Sequence, residues 1–345
     1  MTMFGWFLLT ISIHLVLMEE KQNGVEYKDG GKAPRIKLND GYYMPAVGLG
    51  TFLGFDENGE RQTNQGEVEN QVSWGLRAGY RLIDTASAYH TEGQVGVAIR
   101  KSRLRRKHLY VVTKLGSHEQ RHVLEALRTS LWRLNMSYVD LYLIHTPVAF
   151  KDDCKTYDVI DYLDTWKTME AAKRLRLAKS IGVSNFNITQ MRRLLANCDI
   201  KPAVLQVEVN LNLGQDNLLE FCKSSGIVVM ANTPLGSMFD FRPGRPPPRR
   251  NHSTLVRMAR KYRKTTSQIV LRYLKQRGVV PIPKSMNKER IEQNINIFDF
   301  QLSSHEMAIL KMFNENYRTV VPSAWRGHPY CPYETTKDPM VRIIP

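Results

Sequence analysis

Three short apolar segments in the first half of the sequence each end in side chains that can take part in proton transfer. The segments are RLIDTASAY (81–89), LYVVTKL (109–115) and DLYLIH (140–145). The carboxylate, phenol, ammonium and imidazole groups belong to Asp84, Tyr89, Lys114 and His145. In a barrel of parallel strands the carboxyl ends of all strands meet at one face, so we expect these groups to surround one pocket.

The four groups together suit the protonation of a carbonyl oxygen. A tyrosine with a pKa near ~10 is a weak acid at neutral pH. A neighbouring ammonium group stabilises the phenolate, so Lys114 is expected to help Tyr89 release its proton, while Asp84 balances the buried lysine. Taken singly, these residues also fit a capping carboxylate, a lysine at a strand end and a core histidine. Their combination favours a catalytic site in which His145 orients the carbonyl.

Reduction of a carbonyl also needs a hydride, which no side chain supplies, so the sequence implies a cofactor. Lys284, Ser285 and Arg290 follow the last apolar segment and enter a predicted helix. A cation, a hydroxyl and a guanidinium group there form a suitable phosphate site, although an ordinary basic helix start has the same composition. A Rossmann site is excluded because GLGTFLG (48–54) runs into a polar loop, and GVSNF (182–186) lacks the second glycine of a nucleophile elbow.

Eight apolar segments after Pro34 alternate with amphipathic segments of helical period. This alternation predicts an α/β fold, a parallel (β/α)8 TIM barrel covered by helices. The predicted strands are 46–50, 80–86, 109–115, 139–145, 178–184, 203–209, 227–233 and 279–284.

Several segments lie outside the eight strand–helix units of the predicted barrel. An Asn-Asp-Gly turn within RIKLNDGYYMP (35–45) predicts an N-terminal β-hairpin that plugs one end. Long loops at 51–64 and 234–253, and the tail from about Asn316, are expected at the active-site face.

Composition fits a globular enzyme. The chain has 345 residues, of which 42% are hydrophobic and 24% charged, which suffices for one large barrel. The formal net charge is +16, with basic clusters at 100–107 and 242–264. We interpret these clusters as solvated surface, with steering of an anionic ligand as the alternative. They lack interleaved aromatic residues, which argues against nucleic-acid binding, and the four cysteines show no metal-ligand spacing, so no metal is expected.

The N-terminus carries an apolar stretch at 4–18, FGWFLLTISIHLVLM. It is short for a transmembrane helix, so stable membrane insertion is not expected. Its length suits a signal-peptide core, but a basic region before it and a clear cleavage site after it are missing. On the length of this stretch, secretion is the favoured expectation, and a flexible extension of a cytosolic enzyme is the alternative. In both cases 1–34 lies outside the fold, and 35–345 forms the barrel domain with its C-terminal loop.

Three glycosylation sequons begin at Asn135, Asn187 and Asn251.

Seven motifs in order resemble the aldo-keto reductase superfamily, insect members included. They are DTASAYHTEGQVGVAI (84–99), VTKL (112–115), LIHTPV (143–148), SIGVSNF (180–186), LQVEVN (205–210), TPLGS (233–237) and IPKSMNKERIEQN (282–294). The resemblance implies NADPH-dependent reduction of aldehydes and ketones by a monomer, with Tyr89 as general acid and small-molecule carbonyl substrates. Relatives that reduce a steroid carbon–carbon double bond carry Glu at the position of His145, so the histidine implies carbonyl reduction.

The resemblance also assigns cofactor contacts. The adenosine 2′-phosphate and adenine would lie against Lys284, Ser285, Arg290, Gln293 and Asn294, which implies NADPH over NADH. The nicotinamide amide would contact Ser184, Asn185 and Gln206, with Asn232 under the nicotinamide, and Asp84 would also contact the cofactor. The remaining contacts would come from Thr51 and, over the pyrophosphate, from Leu235 and Ser237.

The substrate pocket would be lined by Phe52, Tyr89, His145 and Trp325. Several positions depart from the family's pattern. Asn232 replaces an aromatic residue under the nicotinamide, and Gln293 replaces a glutamate. Gly116 and Thr146 stand where many relatives carry tryptophan, and Phe52 replaces another bulky aromatic residue. The smaller side chains predict a wide pocket for bulky or steroid-like ketones, such as the ecdysteroids used by insect relatives. The alternative is a low-activity member of the fold that serves as a binding protein.

Overall fold

The structure is a computed structural model that describes residues 30–54, 62, 64–239, 246–247 and 249–333. The predicted signal segment 4–18 lies outside the described residues, as do parts of the two long loops predicted at 51–64 and 234–253. The described parts of these two loops contain no helix or strand until the helix Ser253–Tyr262 begins.

Eight parallel strands form one sheet in the order of the sequence. They are β3 (Leu49–Gly50), β4 (Leu82–Asp84), β5 (Tyr110–Leu115), β6 (Val139–Ile144), β7 (Ala178–Ser184), β8 (Val204–Glu208), β9 (Val228–Asn232) and β10 (Val279–Pro281). The N–H groups of Gly48 and Gly50 donate to the carbonyls of Pro281 and Pro283, both at 3.1 Å. These two bonds join the first strand to the last and close the barrel. The predicted fold is confirmed, although most strands are shorter than their apolar segments.

Ten helices surround the strands in the described residues. They are α1 (Glu67–Ala78), α2 (Glu92–Lys101), α3 (Val123–Leu134), α4 (Tyr162–Arg174), α5 (Ile188–Asn197), α6 (Asp216–Ser224), α7 (Ser253–Tyr262), α8 (Thr266–Gln276), α9 (Lys288–Ile295) and α10 (Ser304–Lys311). Local sequence sets their ends: α3 stops at Asn135 in the left-handed conformation, with φ of 53°, and α5 begins with a capping box between Asn187 and Gln190.

The N-terminal hairpin pairs β1 (Arg35–Lys37) with β2 (Tyr43–Pro45) in antiparallel register. Gly41 takes a φ of 88° in the turn, a conformation that glycine adopts without strain. Leu38 and Met44 of the hairpin belong to the same buried cluster as the inward side chains of the strands. The hairpin therefore plugs the barrel, as the sequence predicts.

Two apolar clusters hold the fold together. The smaller one fills the barrel interior, with Leu82, Val112, Leu141, Leu143 and Val204 among its members. The larger one lies between the outward faces of the strands and the helices. Among the residues that the structure describes, no helix has both the length and the apolar character that crossing a bilayer requires.

Candidate active site

The two-residue repeat of the strands places the site on top of the interior cluster. Alternate residues of a strand point to the same side of the sheet. Six interior residues, each in a strand or directly after one, are followed two positions later by a residue predicted from the sequence to belong to the site. The interior members are Leu82, Val112, Leu143, Val204, Met230 and Ile282, and the residues two positions on are Asp84, Lys114, His145, Gln206, Asn232 and Lys284. Polar and charged side chains thus form the next layer above the apolar interior of the barrel.

Lys114 is the centre of this layer. Its side chain is fully buried, and its Nζ lies 2.6 Å from Oδ1 of Asp84. The same nitrogen donates to the carbonyl of Thr85 at 3.0 Å and to the hydroxyl of Tyr89 at 3.3 Å. The predicted chain of carboxylate, ammonium and phenol is therefore formed.

The charge of Lys114 is stabilised inside the protein. Burial acts to lower the pKa of its ammonium group, but Asp84 and then Tyr89 outweigh burial, so the pKa is raised. Lys114 is therefore a cation at neutral pH and can stabilise negative charge on the phenolic oxygen.

Tyr89 ends the 3₁₀ turn Ser87–Tyr89 that directly follows β4. Its ring meets the imidazole of His145 edge to face, with centroids 5.5 Å apart. The ring of Phe52 lies on it at 4.9 Å. The structure thus gathers the four predicted catalytic residues and one predicted pocket residue around a single phenol.

Four residues predicted to contact the cofactor lie beside the tetrad. Thr51 donates its hydroxyl to the carbonyl of Asp84 at 2.9 Å, and Gln206 donates Nε2 to Oδ2 of Asp84 at 2.7 Å. The Ser184 hydroxyl donates to the carbonyl of Gln206 at 2.8 Å. Nδ2 of Asn185 donates to the carbonyl of His145 at 2.8 Å. These amides and hydroxyls are therefore fixed by the same contacts that build the tetrad.

The predicted phosphate site lies between β10 and α9. Asn287 caps α9 by accepting from the N–H of Arg290 at 2.9 Å, and Arg290 is exposed in the first turn. Lys284 is exposed. Partial desolvation of its ammonium group nevertheless lowers the pKa of Lys284, and the negative charge of Glu67 opposes this effect. A positive helix end and these cations suit an anion. Further along α9, Gln293 is exposed and Asn294 is buried.

The remaining predicted residues have more varied surroundings. Asn232 ends β9 and its Oδ1 accepts from the Thr233 hydroxyl at 3.3 Å. Leu235 packs against the outer apolar cluster. The Ser237 hydroxyl is buried and donates to Oδ1 of Asn212 at 3.2 Å, so it faces the protein. Trp325 stacks on Tyr333 of the C-terminal tail, with centroids 5.5 Å apart.

The space predicted at Gly116 is partly filled. A Cβ atom on this glycine would lie 2.7 Å from Oε2 of Glu119 and 3.2 Å from the His118 ring. Thr146, the other small replacement, is buried, and its hydroxyl accepts from the N–H of Val148 at 3.2 Å. The absence of a large side chain at 116 therefore does not by itself open the pocket, because Glu119 takes up the room.

Sequence reasoning missed Glu208, and it placed Tyr333 only in the tail expected at the active-site face, without a role of its own. Glu208 follows Gln206 by two positions, and its buried carboxylate accepts from the backbone N–H groups of Thr319 and Val320 at 2.7 and 3.1 Å. The two-residue repeat of a strand places Glu208 on the same side of the sheet as Gln206, so the sequence did contain a signal for Glu208. Tyr333 has no comparable signal in its own segment. Within the described residues, no group of three His, Cys, Asp or Glu side chains could hold a metal ion.

Comparison with known proteins agrees with this geometry. Residues 46–315 match the model of the aldo/keto reductase family. The chain is 47% identical over 308 residues to aldo-keto reductase AKR2E4 of Bombyx mori, covering 87% of this chain and 99% of the relative.

Two solved structures have the same fold. The crystal structure of Bombyx mori AKR2E4 in complex with NADP superimposes with a TM-score of 0.83 and covers 87% of this chain and 99% of the other. The structure of AKR2E5 complexed with NADPH is 38% identical, with a TM-score of 0.85 and coverage of 90% and 97%. A family model spanning most of the barrel, together with relatives matched over nearly their whole length, assigns the family: this chain is an aldo/keto reductase.

Proposed function

We propose that the protein reduces aldehyde and ketone carbonyls with NADPH and that Tyr89 is the general acid. The observation that supports this most strongly is the position of Lys114, whose Nζ lies between Oδ1 of Asp84 at 2.6 Å and the Tyr89 hydroxyl at 3.3 Å. A buried cation beside a phenol is suited to a proton donor that becomes negative as it acts.

Each residue of the tetrad has a separate task. Ser184, Asn185 and Gln206 would hold the nicotinamide of a bound dinucleotide, which would supply the hydride. Tyr89 gives its proton to the carbonyl oxygen, so that the product is a neutral alcohol and the phenolate remains beside Lys114. Asp84 keeps Lys114 charged inside the barrel. His145, whose ring is set against Tyr89, would orient the carbonyl oxygen by a hydrogen bond.

NADPH is the proposed cofactor because two structural relatives are described with NADP or NADPH bound. The cations Lys284 and Arg290 at the start of α9 fit the additional phosphate of that cofactor. Asn185, Ser184 and Gln206 fit the carboxamide of the nicotinamide, since their amide and hydroxyl groups stand in the layer beside Asp84.

The proposed substrates include bulky neutral ketones as well as simple aldehydes. Thr146 is smaller than the tryptophan that the family resemblance leads one to expect at this position, which supports a wider pocket. A steroid-like ketone is a member of this class, and a monomer remains the expected oligomeric state. The competing proposal is a binding protein with little turnover. The intact ion pair and phenol contact favour the enzyme.

Replacement of Tyr89 with Phe tests the proposal. Loss of the proton donor should lower kcat by ~10²–10⁴-fold for an aldehyde substrate, while the affinity for NADPH persists. The matched control is Tyr142→Phe, because the Tyr142 hydroxyl is buried in β6 with no hydrogen-bond partner among the described residues. Oxidation of NADPH is followed by its absorbance. Near-normal turnover in Tyr89→Phe would remove Tyr89 from the mechanism, and wild-type protein that binds NADPH without consuming it would favour the binding protein.

A further inference from the structure

The C-terminal tail is fastened to the active-site face at its beginning. The carbonyl of Asn212 accepts from the N–H groups of Glu315 and Tyr317, both at 3.0 Å. The Glu208 carboxylate then holds the backbone of the next turn through the N–H groups of Thr319 and Val320. Since Glu208 is buried at the end of β8, this attachment fixes the tail relative to the barrel.

The tail returns to the barrel at the start of α5. Nε2 of Gln190 donates to the carbonyl of Tyr330 at 3.0 Å, and Nδ2 of Asn187 donates to the carbonyl of Pro332 at 3.1 Å. The same two side chains form the capping box of α5. The helix start that closes the β7–α5 loop therefore also sets the position of the following residue, Tyr333.

The ring of Tyr333 is held on two sides within the tail. The guanidinium carbon of Arg318 lies 4.2 Å from its centroid, and the Trp325 ring stacks on it at an interplanar angle of 25°. Burial raises the pKa of the Tyr333 hydroxyl, and the nearby Arg318 only partly opposes that effect. The hydroxyl is therefore protonated at neutral pH and acts as a hydrogen-bond donor.

This hydroxyl contacts Asn185. It donates to Oδ1 of Asn185 at 3.3 Å. On its other side, the amide nitrogen of Asn185 donates to the carbonyl of His145 at 2.8 Å and to the hydroxyl of Ser184 at 3.3 Å. A phenol that donates requires an oxygen as partner, so Tyr333 fixes which end of the Asn185 amide faces the tail. The donor end then faces the layer of the tetrad.

We infer that Tyr333 is a positioning residue for the cofactor: its hydroxyl fixes the orientation of the Asn185 amide, the group proposed to bind the nicotinamide. This inference rests on the proposed function, in which Asn185 binds the nicotinamide carboxamide. It also links the tail to the cofactor, because any movement that lifts Tyr333 releases Asn185 to rotate. The tail and the cofactor are therefore expected to influence each other's binding.

The test compares two tyrosines of the same region. Tyr333→Phe keeps the ring between Arg318 and Trp325 and removes only the hydroxyl. Tyr157→Phe removes a hydroxyl that donates to the carbonyl of Arg326, a tail contact that involves neither Tyr333 nor Asn185. Dissociation constants for NADPH are measured by fluorescence titration, and kcat and KM are measured with one aldehyde.

We expect Tyr333→Phe to weaken NADPH binding by roughly three- to ten-fold, the effect of one neutral hydrogen bond, and Tyr157→Phe to leave it unchanged. In an Asn185→Ala background, Tyr333→Phe should have no additional effect, as a double-mutant cycle requires for coupled residues. Kinetically, we expect the KM for NADPH to rise more than kcat falls.

Other outcomes overturn the inference in distinguishable ways. Equal losses in Tyr333→Phe and Tyr157→Phe would mean that general loosening of the tail is responsible. An unchanged dissociation constant in Tyr333→Phe, with a weakened one in Asn185→Ala, would end the positioning role and leave the proposed cofactor site intact. Unchanged binding in Asn185→Ala would refute the cofactor role of Asn185 itself, and the inference with it.

Discussion

Gln206 and Asp84 are joined across the interior of the barrel. They stand on β8 and β4, which are four strands apart in a sheet of eight and therefore face each other. Nε2 of Gln206 donates to Oδ2 of Asp84 at 2.7 Å, while Lys114 takes Oδ1 at 2.6 Å. Both carboxylate oxygens are thus used by buried partners, which holds the ion pair in one geometry.

The first prediction concerns the stability that this carboxylate provides. Asp84→Asn leaves the Lys114 ammonium buried without an anion, so the free energy of unfolding should fall by about 3–5 kcal/mol. Urea denaturation of the two proteins measures the difference. Glu69→Gln is the control, because its partner Lys101 is 68% exposed and a surface pair contributes under about 1 kcal/mol. Similar small losses in both variants would contradict a structural role for the Asp84 pair.

The second prediction concerns the choice between NADPH and NADH. Arg290→Ala should weaken NADPH by about one to two decades and NADH hardly at all, because only NADPH offers a 2′-phosphate to the guanidinium group. Lys311→Ala removes an exposed cation from α10 and serves as the control for general electrostatics. Titration with both dinucleotides decides the matter. Equal losses for the two cofactors would place the phosphate site elsewhere.

The third prediction concerns acid stability. Burial alone would raise the pKa of Glu306, but hydrogen bonds from Lys261, Tyr262 and Ser303 outweigh it and lower the pKa from 4.5 to about 2. The unfolded chain therefore binds this proton more readily. The resulting stabilisation, on the order of 3 kcal/mol, is present above pH 4.5 and is lost as the pH falls towards 2.

Measurement of this effect requires a glutamine variant. The difference in unfolding free energy between wild type and Glu306→Gln should be largest at pH 6 and should shrink at pH 3.5. Glu125→Gln, at an exposed position on α3, should show little difference at either pH. A difference for Glu306→Gln that stays constant between the two pH values would show that its carboxylate is not the group that titrates.

The fourth prediction concerns the N-terminal segment, for which we propose secretion. Expressed with its native N-terminus in insect cells, the protein should appear in the medium, trimmed before about Gly24. Asn135 and Asn251 are exposed and should carry glycans. Asn187 should carry no glycan, because its Nδ2 donates to the carbonyl of Pro332 and its Oδ1 accepts from the N–H of Gln190. Mass spectrometry of the secreted protein reads out all three sites. Intact protein retained in the cytosol would refute secretion and leave the reductase proposal untouched.

The sequence by itself determined the barrel and the layer of chemical groups above its core. Leu82 and Asp84, or Val112 and Lys114, are only two positions apart, so the strand period alone places the charged residue above the apolar one. The hairpin plug is likewise predicted from adjacent residues, because Asn39, Asp40 and Gly41 form a turn sequence. These features depend on neighbours within one segment, where local geometry fixes the relation between positions.

Only the tertiary structure decided how distant segments complete the site. Gln206 meets Asp84 across 122 positions, Glu208 meets Thr319 across 111, and Tyr333 meets Asn185 across 148. Glu119 fills the space beside Gly116 through a turn whose path the pattern of apolar residues does not specify. Such contacts depend on the closure of the barrel and on the route of the tail over its face, and a local sequence period carries no information about either.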